Sequence, residues 1–145
     1  MIPQVLIPKG YDKLVEAKLR IGQDFFRKTL LASYSSRCCI TGLPYEQLLR
    51  ASHIKPWSQS DNYNEKTNPK NGLLLNALHD LAFDKGLITL NKDFKVILST
   101  KLCQGIDQAT YSFFKQYNGI IIVLPDKFIP DKQFIEYHND MIFKG

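Results

Sequence analysis

Two of the three histidines in the chain, His53 and His79, flank an asparagine, Asn71, at spacings of 18 and 8 residues. An imidazole has a pKa near neutrality and can therefore take a proton from water. Imidazole, carboxylate and amide groups can also hold a divalent cation, with water and substrate as its other ligands. Hydrolysis of a phosphodiester needs such a proton acceptor beside a cation, so these residues are candidates for that chemistry.

The pattern around these residues predicts a strand, a long loop, a second strand and a helix. Ala51 to Ile54 and the apolar run Gly72 to Leu75 are typical of short strands, and the polar stretch 55–70 between them is a loop. Asn76 is a favoured N-cap residue, and the helix over 77–84 ends before Gly86. If this hairpin folds back on the helix, His53 and His79 flank one phosphate.

These motifs resemble those of a known enzyme family. RCCITGLPYEQLLRASHIKPW, followed by NPKNGLLLNALHDLAFDKGLITL, is similar to the HNH endonucleases (the ββα-metal or His-Me finger family), specifically to a branch of predicted bacterial restriction enzymes. The combination of ASHIKPW, NGLLL and HDLAFDKGLI is specific, whereas a bare H…N…H spacing is not. The resemblance implies a divalent-metal-dependent endonuclease that cuts double-stranded DNA, in restriction or another defence against foreign DNA.

The resemblance also implies a role for each of the three residues. His53 would be the general base, Asn71 would hold the loop or orient His53, and His79 would ligate the ion, Mg²⁺ or another divalent cation such as Mn²⁺. Each residue also has a purely structural interpretation. His53 can be a core histidine on a strand, Asn71 a turn residue, and His79 an inward-packed residue of the first helical turn. For His53 the motif outweighs the structural interpretation.

Two departures from the family pattern affect the metal site. Many HNH enzymes place an Asp or His before the base, and here that position is Ser52, a poor ligand. Asn76, Asp80 and Asp84 are the candidates to complete the ligand set, although Asp80 can instead favour the helix N-terminus electrostatically. The CxxC pairs that flank the motif in other members are absent, so no structural zinc is expected.

Basic residues near the motif are candidates for DNA contact. The chain carries a net charge of +5, which makes polyanions plausible partners. The candidates are Lys55, Lys66 and Lys70 in the loop and Arg37 before the core. The loop also carries the aromatic residues Trp57 and Tyr63, and Trp57 is interpreted as an anchor of the loop to the core. The alternative interpretation for the lysines is ordinary solvated loop charge. The basic residues of an N-terminal helix over 12–35, among them Lys18, are interpreted as a solvated face.

The remaining chain predicts elements that pack around this core. A short helix opens at Pro44 (44–50), strands cover 87–90 and 95–99, and a helix (106–117), a strand (120–124) and a final helix (131–143) follow. The fold class is therefore α+β, with one nuclease domain over 1–145 and a ββα-metal core at about 37–90. No apolar run approaches the ~20 residues that span a bilayer, and a cytoplasmic protein without membrane attachment is expected.

Other interpretations stay open at this stage. The chain can be a nucleic-acid-binding module that keeps the fold without catalysis, an interpretation that Ser52 favours, or a nuclease fragment of a larger defence effector. Nothing in it resembles a dedicated base-reading module. Sequence-specific cutting would then require direct reading by the 55–70 loop, a homodimer or a missing recognition domain.

Overall fold

The computed structural model describes residues 9–62 and 64–145, and Tyr63 therefore lies outside the described residues. Within these described residues, five α-helices and four strands follow one another. The helices are α1 (Lys9–Ser33), α2 (Ala77–Asp84), α3 (Thr100–Cys103), α4 (Gln108–Phe113) and α5 (Lys132–Met141). The strands are β1 (Leu49–His53), β2 (Gly72–Asn76), β3 (Ile88–Leu90) and β4 (Val96–Leu98).

The first two strands form an antiparallel hairpin in which His53 pairs with Gly72 and Leu49 with Asn76. All five residues of β2 are buried, because the hairpin packs against both α1 and α2. Phe26 and Leu30 of α1 supply the apolar cover over the hairpin. Burial of these side chains holds the two strands in register, since a slip by one residue would turn every buried side chain to the opposite face.

The helix α2 begins and ends where the sequence predicts. The Asn76 side chain accepts a hydrogen bond from the backbone N–H of His79 at 3.0 Å and so caps the first turn. The chain leaves the helix through Gly86, whose φ is +73° and whose missing Cβ would lie 2.1 Å from the carbonyl oxygen of Ile142. Only glycine meets both conditions, the left-handed backbone and the close approach.

Three predicted elements differ from the structure. The predicted helix at 44–50 is only a 3₁₀ turn at Glu46–Leu48, because Leu49 and Arg50 join β1 and pair with β2. The predicted helix over 106–117 is broken into α4 and a 3₁₀ turn. In place of a strand at 120–124 there is a single bridge between Lys95 and Ile121, since the next backbone N–H groups bond to the separate carbonyls of Phe94 and Cys39.

The rest of the chain covers the far end of the core. The strands β3 and β4 form a second antiparallel pair, and α5 packs against β3. The third histidine, His138 of α5, stacks on Phe83 of α2 with ring centroids 3.7 Å apart and contacts the Thr89 hydroxyl. No helix of the described residues is long and apolar enough to cross a membrane. The α+β class predicted from the sequence, with a ββα core formed by β1, β2 and α2, is confirmed.

Candidate active site

His53 is the last residue of β1, and its ring is held from two sides. It stacks on Phe26 of α1 with ring centroids 4.0 Å apart and an interplanar angle of 9°, and Trp57 meets it edge-on at 5.6 Å. A Cβ at the paired Gly72 would lie 2.7 Å from the Phe26 ring, so glycine lets Phe26 reach the histidine. Burial between these rings lowers the pKa of His53 below its usual 6.5, which keeps the imidazole neutral and able to accept a proton at neutral pH.

One ring nitrogen of His53 already has a partner. Nε2 lies 2.7 Å from the backbone carbonyl oxygen of Lys66. A carbonyl oxygen can only accept, so the neutral ring carries its hydrogen on Nε2 and its lone pair on Nδ1. Among the described residues no hydrogen bond occupies Nδ1. The contact with Lys66 therefore fixes the tautomer that presents a free basic nitrogen.

Asn71 holds the loop that carries this carbonyl. The residue is fully buried, and its side-chain oxygen accepts from the backbone N–H of Lys55 at 2.8 Å. Its amide nitrogen lies 3.3 Å from the Lys55 carbonyl, 3.3 Å from the Ser60 hydroxyl and 3.1 Å from the Glu65 carbonyl. Asn71 thus ties both ends of the loop together beside Lys66, and it makes no direct hydrogen bond to His53.

His53 shares a cavity of about 470 Å³ with two carboxylates of α2, Asp80 and Asp84. We call this the His53 cavity; its described lining is Arg50, Ala51, Ser52, His53, Pro56, Trp57, Ser58, Asp80 and Asp84. The negative charge of Asp80 raises the pKa of His53 and so opposes the effect of burial. Burial and the charge of Asp80 raise the pKa of Asp84 to about 6, even though Asp84 as a whole residue is exposed.

The donors in this cavity fit a divalent cation that prefers oxygen. Asp80 and Asp84 are four residues apart on one helix, and such residues lie on the same face. A cation between them would offset the negative charge of Asp80, which adds to the effect of burial in raising the pKa of Asp84. The buried hydroxyl of Ser52, which has no hydrogen-bond partner among the described residues, adds a third oxygen. In the described part of the chain no group of three or more His, Cys, Asp or Glu side chains could hold a metal, so a cation here would need water or substrate oxygens to complete its ligand set.

The structure does not bring His79 to this cavity. Its ring is buried, 2% exposed, packs against Phe114 with ring centroids 5.0 Å apart, and borders a different cavity of about 460 Å³. Consecutive helical residues point about 100° apart, and it is Asp80 that lines the cavity with His53, while His79 lines the other cavity. The arrangement in which His53 and His79 flank one phosphate is therefore not the one observed.

The environment of His79 engages one of its two ring nitrogens. Nδ1 lies 3.1 Å from the Asn76 side-chain oxygen, which also caps α2. Nε2 has no hydrogen-bond partner among the described residues, although the nearby carbonyl of Phe113 acts to raise the ring's pKa. Burial is the larger effect and lowers that pKa. Asn76, another ligand candidate, borders this second cavity too, and its amide nitrogen approaches Thr41 at 3.3 Å.

The basic candidates are distributed over several surfaces. The Lys55 ammonium pairs with Glu65 at 3.0 Å, and Lys66 lies with its ammonium 4.5 Å above the Trp57 ring. Lys70 is exposed at the far end of the loop. Arg37 borders a separate cavity with Cys38 and Cys39. Of the four, Lys66 is the one placed against a wall of the His53 cavity.

The sequence does not indicate two of the contacts that shape this site. The Lys66 contact with His53 uses a backbone carbonyl, which every residue type has, so no residue pattern marks it. The stacking of Phe26 on His53 joins residues 27 positions apart, and in the sequence Phe26 is one of many apolar residues in α1. A glycine directly after Asn71, opposite the histidine in the hairpin, is the one signal that something large approaches there.

Comparison with known proteins identifies a family model and a solved structure to which the chain is similar. Residues 38–91 match the family model described as HNH endonuclease, and the resemblance predicted from the sequence is confirmed. A solved structure described as "Modification dependent TagI restriction endonuclease" is similar at a TM-score of 0.58 and 18% identity. The alignment covers 81% of this chain and 37% of that one, so the chain spans little more than a third of that protein. A search of the curated proteins gave no match.

Proposed function

Starting from the HNH endonuclease domain at residues 38–91, we propose that this nuclease hydrolyses DNA phosphodiesters with a divalent cation and His53 as general base. One observation carries the proposal: His53, whose Nε2 is engaged by the Lys66 carbonyl, lines the same cavity as the two carboxylates Asp80 and Asp84. The arrangement combines a neutral proton acceptor with a negatively charged cation site. Those are the two components that water attack on a phosphodiester requires.

Each residue around His53 has a distinct role in the proposed reaction. His53 takes a proton from water at Nδ1, and the resulting imidazolium keeps its Nε2–H bond to the Lys66 carbonyl. Asn71 is a positioning residue, because its bonds hold the loop that presents Lys66. The rings of Phe26 and Trp57 limit rotation of the imidazole and so hold it in one orientation.

Asp80 and Asp84 would hold Mg²⁺ or Mn²⁺, with Ser52 as a further oxygen donor. A bound cation would offset the negative charge that develops on the phosphoryl group and the leaving oxygen. This proposal replaces the ligand role that the sequence predicts for His79, because that ring faces Phe114 on another side of α2. The same reasoning leaves Asn76 as a helix cap.

The substrate class and the biological role follow by analogy. Double-stranded DNA is the expected substrate, and the similar solved structure is described as a restriction endonuclease, which supports restriction or another defence role. Cys38, Cys39 and Cys103 are free thiols, as expected in a reducing cytoplasm. Residues 1–145 would act as one nuclease domain, whose sequence specificity comes from a second copy or a further recognition domain.

Cleavage of supercoiled plasmid tests the proposal. Nicked or linear product is expected with Mg²⁺ or Mn²⁺ and none in EDTA, and metal analysis of the purified protein should find no stoichiometric zinc. Equal cleavage with and without EDTA would refute the cation requirement. DNA binding without any cleavage, under conditions in which an unrelated HNH nuclease cuts, would identify the chain as a binding module that keeps the fold.

A further inference from the structure

A second groove lies beside the His53 cavity, between α1 and the 55–70 loop. We call it the Lys18 groove; its described lining is Val15, Lys18, Leu19, Gly22, Trp57, Asn62, Lys66 and Thr67, and its volume is about 300 Å³. The walls meet closely, since a Cβ at Gly22 would lie 3.0 Å from a side-chain carbon of Thr67. The groove is therefore formed by packing of the helix on the loop.

Trp57 connects the groove to the proposed active site, because it borders both. The Trp57 ring meets the His53 ring edge-on, with centroids 5.6 Å apart, and the Lys66 ammonium lies 4.5 Å from the centroid of the Trp57 ring. Lys66 also belongs to both sites. Its backbone carbonyl accepts a hydrogen bond from His53 Nε2, and the residue lines the Lys18 groove. A nucleic-acid strand that leaves the His53 cavity across Trp57 enters this groove.

The charge of the groove suits phosphate. Every described lining residue is neutral or basic, with Lys18 on the helix wall and Lys66 on the loop wall. Lys18 is exposed, and the Lys66 ammonium contacts an aromatic face, which leaves its N–H groups able to donate to an anion. By contrast, the other loop lysine near the site, Lys55, is already paired with Glu65.

We propose that the Lys18 groove binds the DNA strand next to the scissile phosphate, with Lys18 and Lys66 each contacting a phosphate. The inference rests on the function proposed above and adds α1 to the DNA-binding surface, although the sequence suggests only a solvated basic face there. It assigns the two lysines to substrate binding, so that they position DNA and take no part in proton transfer. Phosphate contacts of this kind carry no base specificity.

The test measures binding of a short fluorescent duplex in EDTA, where no cleavage occurs, over a salt range of about 50 to 200 mM. Each lost phosphate contact lowers the slope of log K against log salt by about 0.9. Lys18→Met and Lys66→Met remove the charge and keep an apolar stem, so each should lower the slope by about that amount. When salt rises fourfold across this range, binding by each variant should therefore weaken about 3.5-fold less than binding by the wild type, because 4 raised to the power 0.9 is about 3.5.

Two controls make the result specific. Lys28→Met removes a charge from the same helix at a position that borders a different cleft, with Asp126 and Phe128, and should leave the slope unchanged. Lys18→Arg should keep the wild-type slope. If Lys18→Met and Lys28→Met give the same slope, or if wild-type protein binds no DNA at low salt, the inference is overturned.

Cleavage separates this inference from the proposed function. With wild-type protein active on plasmid, Lys18→Met should raise KM and leave kcat unchanged, and a change confined to kcat would overturn the assignment. A wild-type protein that binds DNA with the expected lysine dependence and yet cuts nothing would refute the proposed function, while the groove would stand as its DNA-binding surface.

Discussion

Replacing Asn71 with alanine removes one accepted hydrogen bond, at 2.8 Å, and the two N–H donors of an amide nitrogen that lies 3.1, 3.3 and 3.3 Å from its acceptors. Asn71 is fully buried, so the groups left behind are in part shielded from water. A net value of about 0.5–1.5 kcal/mol for the accepted bond and for each N–H donor gives a loss of roughly 2–4 kcal/mol in the free energy of unfolding. Asn68→Ala is the matched control, because Asn68 lies in the same loop and its side chain makes only local bonds, accepting from Lys70 N–H and donating to the Asn64 carbonyl.

The same substitution should also lower the cleavage rate of protein that remains folded. Without Asn71 the loop no longer holds the Lys66 carbonyl against His53 Nε2, and misplacement of about 1 Å costs on the order of 100-fold in rate. Urea unfolding measures the stability change, and single-turnover cleavage well below the melting temperature measures the rate. The ring nitrogen spectrum of His53 adds an independent readout, since the slowly exchanging Nε2–H signal should disappear in Asn71→Ala and persist in Asn68→Ala.

The reasoning fails if Asn71→Ala keeps the wild-type rate and the His53 Nε2–H signal. A stability loss with an unchanged rate would make Asn71 a structural residue alone. A rate loss with an intact Nε2–H signal would show that Asn71 acts on catalysis by some route other than the Lys66 carbonyl.

The remaining predictions concern the cation and the pH dependence of stability. Asp80→Asn and Asp84→Asn should each weaken Mn²⁺ binding at least about 10-fold in calorimetric titrations, whereas His79→Gln and the exposed-turn control Asp93→Asn should not; the ligand assignment is wrong if His79→Gln weakens binding and the two aspartate variants do not. Burial lowers the pKa of His138 to about 4, so between about pH 6.5 and 4 the unfolded chain binds the extra proton and stability falls as pH falls. Urea unfolding should show a loss of about 2 kcal/mol from this residue between about pH 7.5 and pH 5, and His138→Gln should have a correspondingly flatter pH profile; equal profiles would contradict the assignment.

The sequence predicts the frame of the site well because local signals define it. The Asn76 cap and Gly86 mark the two ends of α2, and the structure has the helix over the predicted residues. The apolar run after Asn71 predicts β2 for the same reason, since a continuous apolar segment between turn formers suits a buried strand. Local capping and burial patterns are thus enough to predict the ββα order.

The face of α2 that meets His53 could not be predicted in the same way. His79 and Asp80 are neighbours in sequence, and which of them points at the hairpin depends on the tertiary packing of α2 against Phe114 and Tyr117. The family resemblance implies a ligand role for the histidine. In the structure Asp80 lines the His53 cavity, whereas His79 packs against the aromatic residues of the C-terminal half and borders another cavity.

Single-turnover cleavage of supercoiled plasmid by His53→Ala tests the central claim most directly. The variant should remain folded and bind DNA with near wild-type affinity, because His53 contributes a base and no phosphate contact. Its rate should fall by at least about 100-fold, the lower range for loss of a general base. Cleavage at the wild-type rate by folded His53→Ala protein would contradict the account.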